Sequence, residues 1–198
     1  MATRFGFWAA IASFVFAVAY GIPQALQVAG ILTFPYDEIW IFAPSLLLAP
    51  SFVLANAALY ETTPGERRIF ALAALVIALH YAVLVSSVYV IQLTAVIPAK
   101  LAGGTDISRL FSCCGQGQPL TAIDLLGYTL MSVSTLFAVG AVRGDRSLAS
   151  SLLVNGLLAP FLILQTAWPV LIWIGALWLV TFPVAMALLA RSFRRSGG

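Results

Sequence analysis

The chain has 198 residues, of which 62% are hydrophobic and only 9% charged, and its mean hydropathy is +1.02. A soluble domain carries about 25% charged residues because it must present a solvated surface, so this composition excludes a water-covered globule and makes lipid the expected solvent. The net charge of +3 does not signal a nucleic-acid partner, because the basic residues sit at the ends of apolar runs and form no basic stripe with interleaved aromatics.

An apolar helix needs about 20 residues to cross roughly 30 Å of hydrocarbon. Six stretches meet that requirement, at about 5–29, 38–60, 67–97, 119–142, 147–165 and 169–190. The expected fold is therefore all-α, a polytopic transmembrane bundle forming one integral membrane domain over 1–198. The first stretch begins with Arg4 and carries Ala17-Val18-Ala19, loosely like a cleaved signal. Its apolar character runs on to Leu32, longer than the 7–15 residues of such a signal, so it is counted as a helix. Its Ala9, Ser13, Ala17 and Gly21 recur at helical spacing and form a small-residue face suited to close helix contact.

The second stretch opens on Asp37 and Glu38, acids that suit the positive end of a helix dipole. Pro44 and Pro50 within it, like Pro160 in the fifth stretch, each remove a backbone hydrogen bond and can kink or break their helix. Thr63-Pro64-Gly65-Glu66 reads as a capping box with proline at the first position of the third helix. That helix carries a second small-residue stripe, Ala74, Ala78, Ala82 and Ser86, and the chain's single histidine, His80. His80 lies eleven residues beyond Ile69, roughly 17 Å into the membrane by the helical rise. An ionisable group at that depth is a candidate proton carrier or ligand, sharing a face with Ser87 and Thr94. The plainer reading, a neutral histidine bonded to a neighbouring helix, is preferred. Gln92, like Gln24, Gln27, Asn56, Asn155 and Gln165, either lines a cavity or cross-links helices, and the second role is the commoner.

Residues 98–118 form an outer loop with a short amphipathic segment around Ile107, Leu110 and Phe111. It holds the only cysteines, Cys113 and Cys114. Adjacent cysteines lack the spacer of zinc and redox motifs, so no metal is assigned and a vicinal disulfide or two free thiols remain open. In the fourth stretch, Thr121 and Asp124 read preferentially as a capping pair. The alternative points Asp124 into the bundle at the head of a polar seam through Tyr128, Ser132 and Thr135. Asp145 is expected to cap the fifth helix, which carries Pro160, and Trp168-Pro169 to turn into the sixth with Trp168 at the membrane interface. Leu-Leu-Ala-Pro occurs at 47–50 and again at 157–160, a hint of inverted halves that coincidence explains better in so Leu- and Ala-rich a chain.

Orientation follows from the basic residues. Arg4, Arg67, Arg68, Arg143, Arg146, Arg191, Arg194 and Arg195 fall on one side, against Lys100 and Arg109 on the other. The positive-inside rule then puts both termini in the cytoplasm, across a plasma or inner cell membrane. No phosphate-binding loop, dinucleotide fingerprint, HExxH, GxSxG or potassium-filter motif occurs, and the sequence leaves the cofactor unknown. The expected partners are membrane lipid and either other membrane subunits or further copies of the chain. Three functions follow, in order of preference: a non-enzymatic accessory or scaffold subunit, or binder of a lipid-soluble ligand; a small oligomeric transporter with a site near His80; and an intramembrane enzyme using His80 or Asp124.

Overall fold

The computed structural model describes residues 1–115, 117–142 and 144–197. It is all-helical among those residues, and six helical segments are long and apolar enough to cross a membrane. Helix is the form that satisfies backbone N–H and C=O groups within one segment, which lipid cannot do for them. The first segment is α1 (Ala2–Val28) and the second α2 (Tyr36–Thr62). The third joins a 3-10 turn (Gly65–Arg67), α3 (Arg68–Ile91), a π-helical stretch (Gln92–Val96) and α4 (Ile97–Leu101). After the short loop helix α5 (Asp106–Phe111) comes α6 (Pro119–Ala141), the fourth segment. The fifth comprises α7 (Arg146–Gly156) and α8 (Ala159–Leu164). The sixth comprises a 3-10 turn (Pro169–Leu171), α9 (Ile172–Gly175) and α10 (Trp178–Ser196). All six expected stretches are present, with ends displaced by a few residues.

Two local expectations need correction. The capping box at Thr63 does not form: Thr63 Oγ1 donates back to Leu59 O at 2.6 Å and so closes α2, while Gly65, at φ +61°, starts a 3-10 turn without a side-chain cap. Pro44 and Pro50 lie inside a continuous α2, so neither breaks it. The fifth segment is interrupted at Pro160 as expected, since Pro160 cannot give an N–H to Gly156 O, and a further irregularity is the π-helical stretch before Pro98. Asp145 caps α7 as expected, accepting from Leu148 N at 3.0 Å.

The segments pack in a ring in chain order, each against its neighbours in sequence, with α10 closing against α1. Small residues make the close approaches. Ser13 Oγ donates to Ser51 Oγ at 3.1 Å between the first two segments, and Ser134 Oγ donates to Ala74 O at 2.7 Å between the third and fourth. Both small-residue stripes thus face helices of the same chain: Ala9, Ser13, Ala17, Ala74 and Ala78 are buried, and Gly21, Ala82 and Ser86 half-buried. Gly127 sits so close to α3 that a Cβ there would stand 2.5 Å from Val85 Cγ1, and at Gly156 a Cβ would collide with Leu136. The exterior is apolar, and four of the five tryptophans, Trp8, Trp40, Trp168 and Trp173, are 58–71% exposed near the segment ends, as in an aromatic belt.

Side chains tie the connections at each end of the ring. At one end Gln24 donates to Gln27, which donates to Asp37 at 2.8 Å, and Lys100 pairs with Glu38 at 2.5 Å. At the other, Arg67 donates to Val142 O at 2.9 Å, and Asp145 lies 3.6 Å from Arg191 and 3.9 Å from Arg195. That end also holds both termini, where a Cβ at Gly197 would stand 2.9 Å from Thr3 Oγ1. Arg143, counted in the charge asymmetry, lies outside the described residues.

Candidate functional site

The polar residues of the apolar segments divide between the outside of the ring and its centre. His80, Ser87 and Thr94 do share one face of the third segment, but that face is exposed. Each satisfies itself on the carbonyl four residues back: His80 Nδ1 on Val76 O at 2.8 Å, Ser87 on Val83 O at 2.8 Å and Thr94 on Val90 O at 2.6 Å. His80 therefore neither reaches a neighbouring helix nor shares a cavity with Asp124. The inward face of the segment is instead Ala71, Ala74, Ala78, Tyr81, Val85, Val88 and Tyr89, a helical period that leaves His80 on the far side.

Gln92 is buried, in the π-helical stretch, and serves as a clamp. Its Nε2 donates to Phe111 O at 2.7 Å and its Oε1 accepts from Cys113 N at 3.1 Å. Cys113 and Cys114 are joined as a vicinal disulfide. Cys114 N donates to Thr121 Oγ1 at 2.8 Å, Thr121 Oγ1 donates to Gly115 O at 2.8 Å, and Gly115 N donates to Gln118 Oε1 at 2.9 Å. The cysteine loop is thus pinned between the third segment and the start of the fourth. The short helix expected around Ile107, Leu110 and Phe111 is present as α5.

Pro119 occupies the first position of α6, whose N-cap, Gln118, makes no side-chain cap bond. Asp124 follows five residues on, about 7.5 Å along the axis, too far inside to cap. The capping reading of Thr121 and Asp124 is corrected accordingly. Thr121 serves the loop, while Asp124 turns into the ring, 8% exposed, with Oδ1 lacking a hydrogen-bond partner. The sulfurs of Cys113 and Cys114 and a carboxylate oxygen of Asp124 all lie within 4.8 Å of one another.

From Asp124 a polar seam runs down α6 as the alternative reading required. Tyr89 and Tyr128 share a hydrogen bond of 2.7 Å between their hydroxyls. Ser132 is fully buried, and Thr135 Oγ1 accepts from Asn155 Nδ2 at 3.2 Å while Asn155 Oδ1 accepts from Thr181 Oγ1 at 2.9 Å. The seam thereby links the third, fourth, fifth and sixth segments. Around it stand aromatic rings from the first, third and sixth: Tyr128 lies 4.8 Å from Trp178, 5.9 Å from Tyr81 and 6.3 Å from Tyr20, between ring centroids. Besides Asp124 Oδ1, three further buried polar atoms here lack a partner: Tyr81 Oη, Ser132 Oγ and Trp178 Nε1. Buried polar groups are nearly always hydrogen-bonded, so four such atoms around one tyrosine set this centre apart from the rest of the apolar ring.

At the cysteine-loop end a cleft of about 310 Å³ opens between the fourth segment and the turn from fifth to sixth, lined by Cys114, Thr121, Leu125, Gln165, Pro169 and Ile172. Cys114 is common to both features: it lines the cleft, and its sulfur faces Asp124. The fifth and sixth segments are interrupted beside the seam, after Asn155-Gly156 and just before Trp178. The sequence offered one unused signal for this centre. Beside Tyr128, which the seam already named, Tyr20, Tyr81 and Tyr89 lie deep in apolar runs, where each hydroxyl needs a partner. No protein-family model, no curated protein and no solved structure matches the chain.

Proposed function

We propose that the chain is a small multi-pass carrier of the plasma or inner cell membrane, both termini cytoplasmic, that binds a small cation at the centre of its helical ring. The observation that carries this reading is Asp124. It is more than nine-tenths buried with a carboxylate oxygen lacking a partner and no cationic side chain beside it, whereas Glu38, Glu61 and Asp145 each face a lysine or arginine, Asp37 accepts from Gln27, and Glu66 is exposed. An uncompensated buried charge costs several kcal/mol, and an intramembrane carboxylate facing the interior marks an ion or substrate path. A cation arriving there supplies the missing partner, and the Tyr and Trp faces around it add cation–π attraction. The breaks beside Asn155 and Trp178 support translocation over static binding, since carriers place interrupted helices at their sites. The side assignment rests on the basic residues of the Arg67/Arg191 end.

The test is uptake of labelled methylammonium into liposomes holding the purified protein. Uptake that requires Asp124, is lost in Asp124→Asn and is retained in part by Asp124→Glu supports the carrier. Uptake unaffected by Asp124→Asn sinks it.

A second reading, the accessory or self-associating subunit, is favoured by one observation: His80 faces outward from the middle of an apolar segment with only Nδ1 engaged. A partner helix, from another subunit or a second copy, would give Nε2 a hydrogen bond. The particle mass of native and His80→Leu protein in mild detergent decides it: a larger native particle that dissociates on substitution supports the partner, and identical monomers remove it.

A further inference from the structure

The cysteine pair precedes α6 and Asp124 lies inside it, ten residues beyond Cys114, and the fold brings the three side chains to one point. We propose that, once the Cys113–Cys114 bond is reduced, the two thiolates and the Asp124 carboxylate form a three-ligand site for a divalent metal ion of the zinc class. The inference goes beyond the carrier reading and shares only Asp124 with it.

The geometry is close to what such an ion needs. Ligand atoms about 2.0–2.3 Å from a tetrahedral zinc ion stand roughly 3.3–3.8 Å apart; the three donors lie within 4.8 Å of one another with the two sulfurs bonded, and breaking that bond frees the sulfurs to separate to ligand spacing. The carboxylate is the independent sign of a ligand, because its Oδ1 is buried without a partner and one of its oxygens lies within 4.8 Å of both sulfurs. Both cysteine backbones are fixed by side chains from different segments, Cys113 N by Gln92 Oε1 and Cys114 N by Thr121 Oγ1. These contacts hold the donors in place with the ion absent, as outer-shell partners do in built metal sites. Three protein donors leave a fourth position, and Cys114 opens it to the cleft of about 310 Å³, the arrangement of an exchanging site. Two thiolates and a carboxylate suit zinc or cadmium better than calcium or magnesium, which prefer oxygen alone.

The chemistry balances in two steps. A dithiol reductant delivers two electrons and two protons to the S–S bond, becomes a disulfide itself, and leaves two thiols. The ion then binds both sulfurs and the carboxylate and releases the two thiol protons to water.

The experiment uses the full chain in detergent, reduced with a phosphine and titrated with Cd²⁺ while the ultraviolet thiolate-to-cadmium band is followed; Zn²⁺ is read by competition. The expected result is one ion per reduced chain, no band in the oxidised protein, loss of the band in Cys113→Ser and in Cys114→Ser, and binding weakened roughly tenfold or more in Asp124→Asn. The oxidised and reduced forms of the unaltered protein already test the proposal without a variant that must fold. It is overturned if the reduced chain gives no band, if the oxidised chain binds as well, or if Asp124→Asn binds with unchanged affinity. Methylammonium uptake in the Cys113→Ser/Cys114→Ser double variant separates the two proposals. Uptake with no cadmium site in the parent removes the metal inference alone, and cadmium binding with no uptake in the parent removes the carrier alone.

Discussion

Replacing Gly127 with alanine tests the closest helix contact in the ring. The new Cβ would stand 2.5 Å from Val85 Cγ1, about 0.9 Å short of the 3.4 Å at which ordinary contact begins. Val85 is fully buried and β-branched, so its rotamer is close to fixed in a helix and cannot swing clear. Either α3 and α6 move apart or Val85 adopts a strained rotamer, and overpacking of this kind costs about 1–3 kcal/mol. Val85→Ala alone removes packed methyl groups and costs roughly 1–2 kcal/mol. In the double variant the alanine Cβ at 127 fills part of the space vacated at 85, so the two costs should not add. A coupling of about 1 kcal/mol or more toward stability is expected. The assay is equilibrium unfolding in mixed micelles by a denaturing detergent, with helix content followed by circular dichroism. A Gly127→Ala protein as stable as the parent, or a double variant that loses both costs in full, would refute the close approach of these helices.

Substitutions at Asp145, Ser132, Asn155 and His80 have defined outcomes as well. Asp145→Ala should lose about 1 kcal/mol through its cap bond to Leu148 N, with its partly exposed arginine partners adding little. Asp145→Asn should recover most of that in the same unfolding assay. Ser132→Ala should be neutral or stabilising, because it removes a buried hydroxyl without a partner, whereas Asn155→Ala should cost about 1 kcal/mol for its bonds with Thr135 and Thr181. His80→Leu should leave both unfolding and methylammonium uptake unchanged, and a loss of uptake would return the site to the outer face of the third segment.

The six segments were legible because length and apolarity alone determine what can cross a bilayer, and the cap at Asp145 because one side chain and one N–H decide it. The polar seam through Tyr128, Ser132 and Thr135 could be drawn on a helical wheel. Its direction, inward, could not, since an apolar helix in lipid has no polar face to mark the outside. The same ambiguity made His80 look central: depth can be counted along a sequence, but the side of the helix depends on which residues the neighbours cover. Asp124 was misread because helix starts are judged from local pattern, and Pro119 begins α6 earlier than a cap at Thr121 would allow. The approach of Asp124 to Cys113 and Cys114 follows from how Gln92 and Thr121 fold the loop back, a tertiary fact that no spacing rule along the chain contains.

The uneven placement of the tryptophans has an optical consequence. Trp8, Trp40, Trp168 and Trp173 look outward, while Trp178 is 3% exposed against Tyr128 and has an indole N–H with no acceptor. Quenchers carried on lipid chains should therefore silence the four and spare the fifth, leaving a residual emission from the centre of the ring. That emission would change colour and intensity whenever something enters beside Trp178, giving the protein a built-in reporter of occupancy that needs no label.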